Sequence, residues 1–250
     1  MAISYANLSK GNCLASDSND PNRDRTPYSS SYSIELRLVN RLVVIVGAGP
    51  VAMRKIPDLL AAGARVQLID PRPLPDILQS SQLTHLQRKY QVTDFHAAHL
   101  VFAATNCAET NFEIAQEAAK LKILCCRVDS SEGSDFMTPA RILRPPITVS
   151  VSTGGGSPAM AAILRDMLNE KIPPVWQTAT ELASAIRRKL LTEQLQIPYN
   201  QQVLLLLIEE GLLACLEQSD HAATDRLLHK HFGAEFSLNT LSFSLPEGTP

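Results

Sequence analysis

The sequence lacks any uninterrupted apolar run long enough to cross a bilayer; residues 203–208 fall far short of the roughly 20 that a helix would need. It also lacks the apolar core of a signal peptide near its start. Arg23 and Arg25 stand there among Asp17, Asp20 and Asp24, which argues against a transit peptide. There is no C-x-x-C: the five cysteines (Cys13, Cys107, Cys125, Cys126 and Cys215) are odd in number and scattered. That pattern fits a reducing compartment better than a disulfide framework or a cysteine zinc site. The six histidines (His85, His96, His99, His221, His229 and His231) form no H-x-x-x-H on a strong helix with a nearby carboxylate, so no metal site is expected. A formal net charge of -2 leaves no basic excess for nucleic acid. No internal repeat is visible. The expectation is a cytoplasmic protein without a membrane or nucleic-acid partner.

Across 250 residues, 45% are hydrophobic and 19% charged, an ordinary balance for a globular chain of one large or two modest domains. The informative stretch is Val43-Val44-Ile45-Val46-Gly47-Ala48-Gly49-Pro50-Val51-Ala52-Met53-Arg54-Lys55. Four apolar, mostly β-branched residues predict a strand buried on both faces. Gly47 allows a tight turn, Gly49 lets backbone approach a pyrophosphate, and Ala52 lets the following helix pack on the strand. The first N–H groups of that helix have no partner within it and suit phosphate, while Pro50 loses nothing at a first-turn position. A G-x-G-x-x-A pattern alone is weak, so its surroundings decide. The predicted helix, residues 50–62, ends at Gly63; a second apolar run, residues 65–69, ends in Asp70. An acid about 20 residues past the glycines is placed to bond a ribose hydroxyl. Strand, turn, helix, strand and acid in that order predict dinucleotide binding.

Residues 1–32 are rich in Ser, Asn, Asp and Pro without periodicity and read as a disordered tail. Alternation over residues 33–38 predicts a short strand. After Asp70, a stiff Pro71-Arg72-Pro73-Leu74-Pro75 connection leads to a short helix near residues 76–80, then an exposed strand over 85–90. Further strands are expected over 99–105 and 123–128, with a helix over 109–121 between them. Strands alternating with helices predict a parallel, doubly wound sheet, whose site lies beyond the carboxyl ends of its strands. Gly47–Gly49, Asp70, Thr105-Asn106 and Asp129 all fall at such ends. The pattern then changes. Residues 136–143 and 147–152 predict a hairpin around Arg144-Pro145-Pro146, followed by helices over 159–171, 175–192, 200–217 and 222–232 and a loose end.

Four segments resemble a known family. They are Ile45 to Lys55; Ala103-Ala104-Thr105-Asn106; Val128-Asp129 with Phe136-Met137-Thr138-Pro139-Ala140; and Val149-Ser150-Val151-Ser152-Thr153-Gly154-Gly155-Gly156-Ser157-Pro158. Together, over about residues 33–190, they are similar to the NAD-dependent precorrin-2 dehydrogenases of siroheme synthesis. The resemblance implies oxidation of precorrin-2 to sirohydrochlorin by hydride transfer to NAD⁺. It implies a Rossmann-like doubly wound parallel sheet, then a small β-containing dimerisation region, then a helical C-terminal domain, assembled as a homodimer. The corresponding divisions are 1–32 tail, 33–138 NAD-binding domain, 139–171 dimerisation region, 172–235 helical domain and 236–250 loose end. With no methyltransferase domain following, the chain resembles the standalone dehydrogenase form. Two other readings stay open: a bifunctional enzyme that also inserts Fe²⁺ into sirohydrochlorin, and a non-catalytic NAD-sensing module. The sensor would share residues 43–70 but would not need Asp129 or residues 153–158.

By the resemblance, Asp129 is the catalytic aspartate, a carboxylate suited to take the proton left when a hydride departs. From its residues alone, Asp129-Ser130-Ser131 is equally a turn after a strand. Pro50, Val51, Pro71 and Arg72 align with cofactor contacts of the family, beside Gly47, Gly49 and Asp70 of the glycine motif. Asp70 favours NAD, whereas Arg72 could accept the 2′-phosphate of NADP. Thr105 and Asn106 line the nicotinamide side or act as a helix cap. Residues 153–156 offer N–H groups to an anion or simply turn the chain, with Thr153 standing where some relatives carry a modified serine. Arg141, Arg144 and Arg165 suit substrate carboxylates or are surface charges. Cys125 and Cys126 read as core.

Overall fold

The computed structural model describes residues 31–73 and 80–246, which divide into one unit ending at Thr138 and another beginning at Pro139. The first unit is built on β1 (Leu42–Val46), β2 (Arg65–Ile69), β3 (Leu83–Leu86), β4 (Leu100–Ala103) and β5 (Leu124–Arg127). They form one sheet in the order β3-β2-β1-β4-β5, every pairing parallel. Alternation along β1 sets the layers. Val43 and Ile45 join Ala52, Ile56 and Leu59 of α1 (Pro50–Ala61) on one face. Val44 and Val46 join Ile114, Ala115 and Ala118 of α2 (Ala108–Lys120) on the other, with Phe95 from a 3-10 turn, Val92–Phe95. Because successive strand side chains point to opposite faces, a wholly apolar strand needs cover on both. That is why the run 43–46 alternates with nothing polar. The fold is the doubly wound Rossmann-like α/β arrangement expected.

Three local differences have physical reasons. Residues 33–38 form no strand, and Ile34 and Leu36 stay exposed. Both flanks of β1 are taken by β2 and β4, so no ladder position remains beside it. The strand expected over 85–90 is β3, ending at Leu86, where Arg88 turns away to a bidentate pair with Asp94 (2.6 and 2.8 Å). The short helix expected near residues 76–80 lies almost wholly outside the described residues, as does the tail up to residue 30. The open edge of β5 is closed by its own continuation. Asp135 accepts the Cys125 N–H through Oδ2 (2.8 Å) and donates its own N–H to the Cys125 carbonyl (2.8 Å), while Ser134 Oγ accepts from Arg127 N (2.9 Å). A sheet edge with its donors occupied cannot pair with another chain.

The second unit opens with an antiparallel hairpin, β6 (Ala140–Arg144) and β7 (Ile147–Val151), with a cis Pro145–Pro146 bond between. β6 starts at Ala140 rather than near 136 because Phe136 instead packs edge-on against Phe102 (5.3 Å) in the first unit's own core. Helix α3 (Pro158–Lys171), capped by Ser157 Oγ accepting from Met160 N (3.2 Å), lies on both hairpin strands. The rest is helical: α4 (Val175–Thr192), α5 (Gln201–Glu209), α6 (Leu212–Glu217) and α7 (His221–Phe232). The single helix expected over 200–217 is two, because Gly211 sits at φ +98°, a left-handed conformation that ends one helix and starts the next.

The loose end expected from residue 236 is corrected for its described part. Phe236, Leu238, Leu241 and Leu245 are buried with Leu182, Ile186, Leu190, Leu228 and Phe232 in the helical core. Spaced by two, three and four residues, those apolar positions match neither a helix nor a strand period. No helix among the described residues is long and apolar enough to cross a membrane.

Candidate dinucleotide and active site

The site grows from the gap between β1 and β4, where strand order reverses, the place at which doubly wound sheets bind ligands. Val46 accepts from Ala104 N (2.8 Å) on one side, and Gly47 donates to the Ile69 carbonyl (2.8 Å) on the other. Gly47 then turns at φ +102° so close to the end of β4 that a Cβ there would lie 2.4 Å from the Ala104 carbonyl oxygen. Only glycine fits. Gly49 is the N-cap of α1, with Pro50 and Val51 in its first turn and no side chain capping it. Ser157, Asn200 and Asp220 cap α3, α5 and α7, while the helices that start at Ala108, Val175 and Leu212 are uncapped like α1, so the glycine turn is what sets α1 apart. The bare amide end of a twelve-residue helix, reached through a glycine turn, fits a dinucleotide's pyrophosphate.

Asp70 follows β2 and is almost fully buried. Its Oδ2 accepts from Ala48 N (2.7 Å) and Arg72 Nη2 (2.8 Å), and its Oδ1 from Arg72 N (2.8 Å) and Nε (3.0 Å). The Arg72 hydrogen bonds hold its carboxyl far below the usual range, against the opposing effect of burial. Two oxygens offer about four acceptor positions, and all four are engaged. The acid therefore ties the glycine turn to the end of β2, and a ribose hydroxyl bonding to it would take the place of an Arg72 contact. Arg72 itself is largely exposed with donors to spare, and Pro71 beside it is exposed too. His85 Nε2 lies 3.1 Å from the Asp70 carbonyl, bracing the same corner from β3.

Asp129 stands just past β5. Its Oδ1 accepts from Asn111 Nδ2 (2.9 Å) and its Oδ2 from Arg127 Nη2 (2.7 Å). Burial pushes its pKa up, but the Arg127 and Asn111 hydrogen bonds outweigh that and leave it below the usual carboxylate value. Asn111 also ties Asp129 to Thr105: its Oδ1 accepts from Thr105 N (3.0 Å) and Oγ1 (2.7 Å), and its Nδ2 reaches the Thr105 carbonyl (3.2 Å). Thr105 Oγ1 in turn accepts from Cys107 N (3.2 Å), as a residue before a helix does, while Asn106 is exposed. Val46 with Ala104 and Ala48 with Asp70 are thus direct links along one end of the sheet, and Asn111 joins Thr105 to Asp129 at the same end.

Three contributors escaped the sequence reading. Asn111 lies three residues before Ile114 and seven before Ala118, a polar residue on the apolar stripe of α2, and it is wholly buried. That misplaced polarity was the available signal. Arg127 and Lys55 gave none. Lys55 donates to Thr138 Oγ1 and lies 5.3 Å from the Phe102 ring centre.

The other candidates lie in the second unit. Thr153 Oγ1 accepts from Ser157 N (3.1 Å) and bonds the Ser157 carbonyl oxygen (3.0 Å), closing the glycine turn upon itself. Arg144 Nη2 bonds Asn169 Oδ1 (2.8 Å), and Arg165 pairs with its neighbour Asp166 (2.7 Å). Burial raises the thiols of Cys125, to about 12, and Cys126, as for core residues.

Residues 34–140 match a family model described as "Putative NAD(P)-binding". The chain is 37% identical over 154 residues to siroheme synthase 2 of Aeromonas salmonicida, covering 61% of this chain and 32% of that protein. To the siroheme synthase of Thioalkalivibrio sulfidiphilus it is 35% identical over 161 residues, covering 63% and 33%. To that of Chromobacterium violaceum it is 31% identical over 206 residues, covering 81% and 44%. The chain thus spans about a third to under half of the length of these relatives. Among solved structures it is similar in fold to SirC, a precorrin-2 dehydrogenase, with a TM-score of 0.61 at 21% identity, over 80% of this chain and 98% of that one. The glycine turn, the uncapped helix and the buried acid thus lie within the stretch that matches the NAD(P)-binding model, and over this part the chain is similar to siroheme synthases.

Proposed function

We propose that this chain oxidises precorrin-2 to sirohydrochlorin with NAD⁺, in the cytoplasm and as a homodimer. The observation that carries the reading is the Asn111–Asp129–Arg127 cluster, which fixes an ionised carboxylate at the same end of the sheet as the glycine turn. NAD⁺, when bound, supplies the two-electron acceptor for the substrate's hydride. Gly47, Gly49, Pro50 and Val51 would hold its pyrophosphate through backbone, and Asp70 with Pro71 and Arg72 would hold the adenosine ribose. Thr105 and Asn106 would hold the nicotinamide end. Substrate oxidation releases one hydride and one proton. Asp129 takes the proton on a carboxylate lone pair that Arg127 and Asn111 leave free. Its side chain is about a quarter exposed (26%), so the proton passes on to water.

The assembly reading rests on α3. Met160, Ile163, Leu164, Met167 and Leu168 recur at helical spacing and are all exposed, Met167 at 60%. A continuous apolar stripe of this kind calls for a covering surface, and a second copy supplies an identical one.

Anaerobic incubation with precorrin-2 and NAD⁺ tests the reaction. Sirohydrochlorin and NADH should appear in equal amounts. Their absence, from protein that binds NAD⁺, would overturn the reading in favour of a sensor module. A parallel arm with Fe²⁺ as substrate reports whether chelation follows.

A further inference from the structure

Arg127 is the last residue of β5, and Asp129 follows two residues later in the bend that leaves the strand. Its guanidinium is held on three sides. Nη2 donates to Asp129 Oδ2 (2.7 Å), Nη1 to the Glu132 carbonyl (3.2 Å), and the group lies 5.7 Å from the Phe112 ring centre. Only 11% of the side chain is exposed, and Nε is buried with no acceptor among the described residues. A buried N–H left unmatched is a cost, so the pose is maintained by what it does for its neighbours. From the opposite side, Asn111 on α2 holds the other carboxylate oxygen and is itself fixed by Thr105. Asp129 is thereby gripped at both oxygens by groups that cannot swing away.

We propose that Arg127 is a positioning residue of the dehydrogenation site, aiming Asp129 so that it remains available as the base. The inference rests on Asp129 being that base. The charged surroundings are few. Among the described residues, Arg127 interacts with the Cys125 thiol on its own strand and with Glu132 in the following loop, and α2 places the uncharged Asn111 and Phe112 against the pair. Arg127 is thus the cation bonded to this carboxylate. A base must be unprotonated to act, and an adjacent guanidinium favours the unprotonated form. Losing it moves the acid limb of the rate profile to higher pH.

The test is the pH profile of kcat at saturating precorrin-2 and NAD⁺ for wild type, Arg127→Met, Arg127→Lys and Asp129→Asn, with NAD⁺ affinity measured alongside. Arg127→Met should lose on the order of tenfold more of its kcat near about pH 5 than near about pH 8, with NAD⁺ affinity retained. Arg127→Lys should recover most of that difference, since the charge returns without the fork. A uniform loss at every pH, or an unmoved acid limb, overturns the inference even if Asp129→Asn is inactive. If Asp129→Asn keeps the wild-type rate, the base reading itself fails. Should Arg127→Met not fold, the uncharged Arg127→Gln takes its place against wild type: an acid limb moved to higher pH supports the inference, and an unmoved limb overturns it.

Discussion

Gly47 and Asp70 show what a single residue does at this site. A Cβ at position 47 would meet the Ala104 carbonyl at 2.4 Å, and the φ of +102° is strained for any other residue. Gly47→Ala should therefore destabilise the first unit by about 2–4 kcal/mol and weaken NAD⁺ binding, measured by denaturant unfolding and cofactor titration. Unchanged values would mean the turn relaxes freely. Asp70 adds a pH dependence. Its folded pKa lies below the unfolded value, so its contribution is complete above about pH 4 and is lost as the pH falls through the folded value. The stability gap between wild type and Asp70→Asn should accordingly close on acidification below about pH 4, and a gap constant to lower pH would contradict the assignment. Spacing alone pointed to both residues. What spacing could not supply was the fourfold engagement of Asp70, or Asn111 and Arg127 at Asp129, because those contacts join residues brought together only by the folded sheet.

At the scale of elements, strong periodicity was readable and weak periodicity was not. The β-branched run of β1 and the apolar face of α2 announced themselves, and so did α4, whose expected bounds are the observed ones. The chain after α7 did not, since its core residues follow no period. Leu238 is almost fully buried there, and its N–H donates to Asp225 Oδ1 (2.7 Å). Leu238→Ala should cost about 2–4 kcal/mol in chemical denaturation of the full chain. A loss within about 0.5 kcal/mol, the usual surface range, would show that this segment is loose after all.

For the whole molecule, the apolar stripe of α3 and the carboxylate at the end of β5 carry the two proposals that reach beyond the fold. Ile163→Asp together with Met167→Asp places charges in the stripe at exposed positions, where folding should tolerate them. Light scattering at about micromolar concentration should give a dimer mass for wild type and a monomer mass for the variant; a wild-type monomer would contradict the assembly. The chemistry rests on Asp129 as the base, and one paired measurement tests it most directly. NAD⁺ affinity and single-turnover formation of sirohydrochlorin are followed in wild type and Asp129→Asn under anaerobic conditions. The account predicts equal affinity with a rate lower by roughly 10²–10⁴-fold in the variant. Equal rates would contradict it and leave Asp129 as a turn residue at the end of a strand.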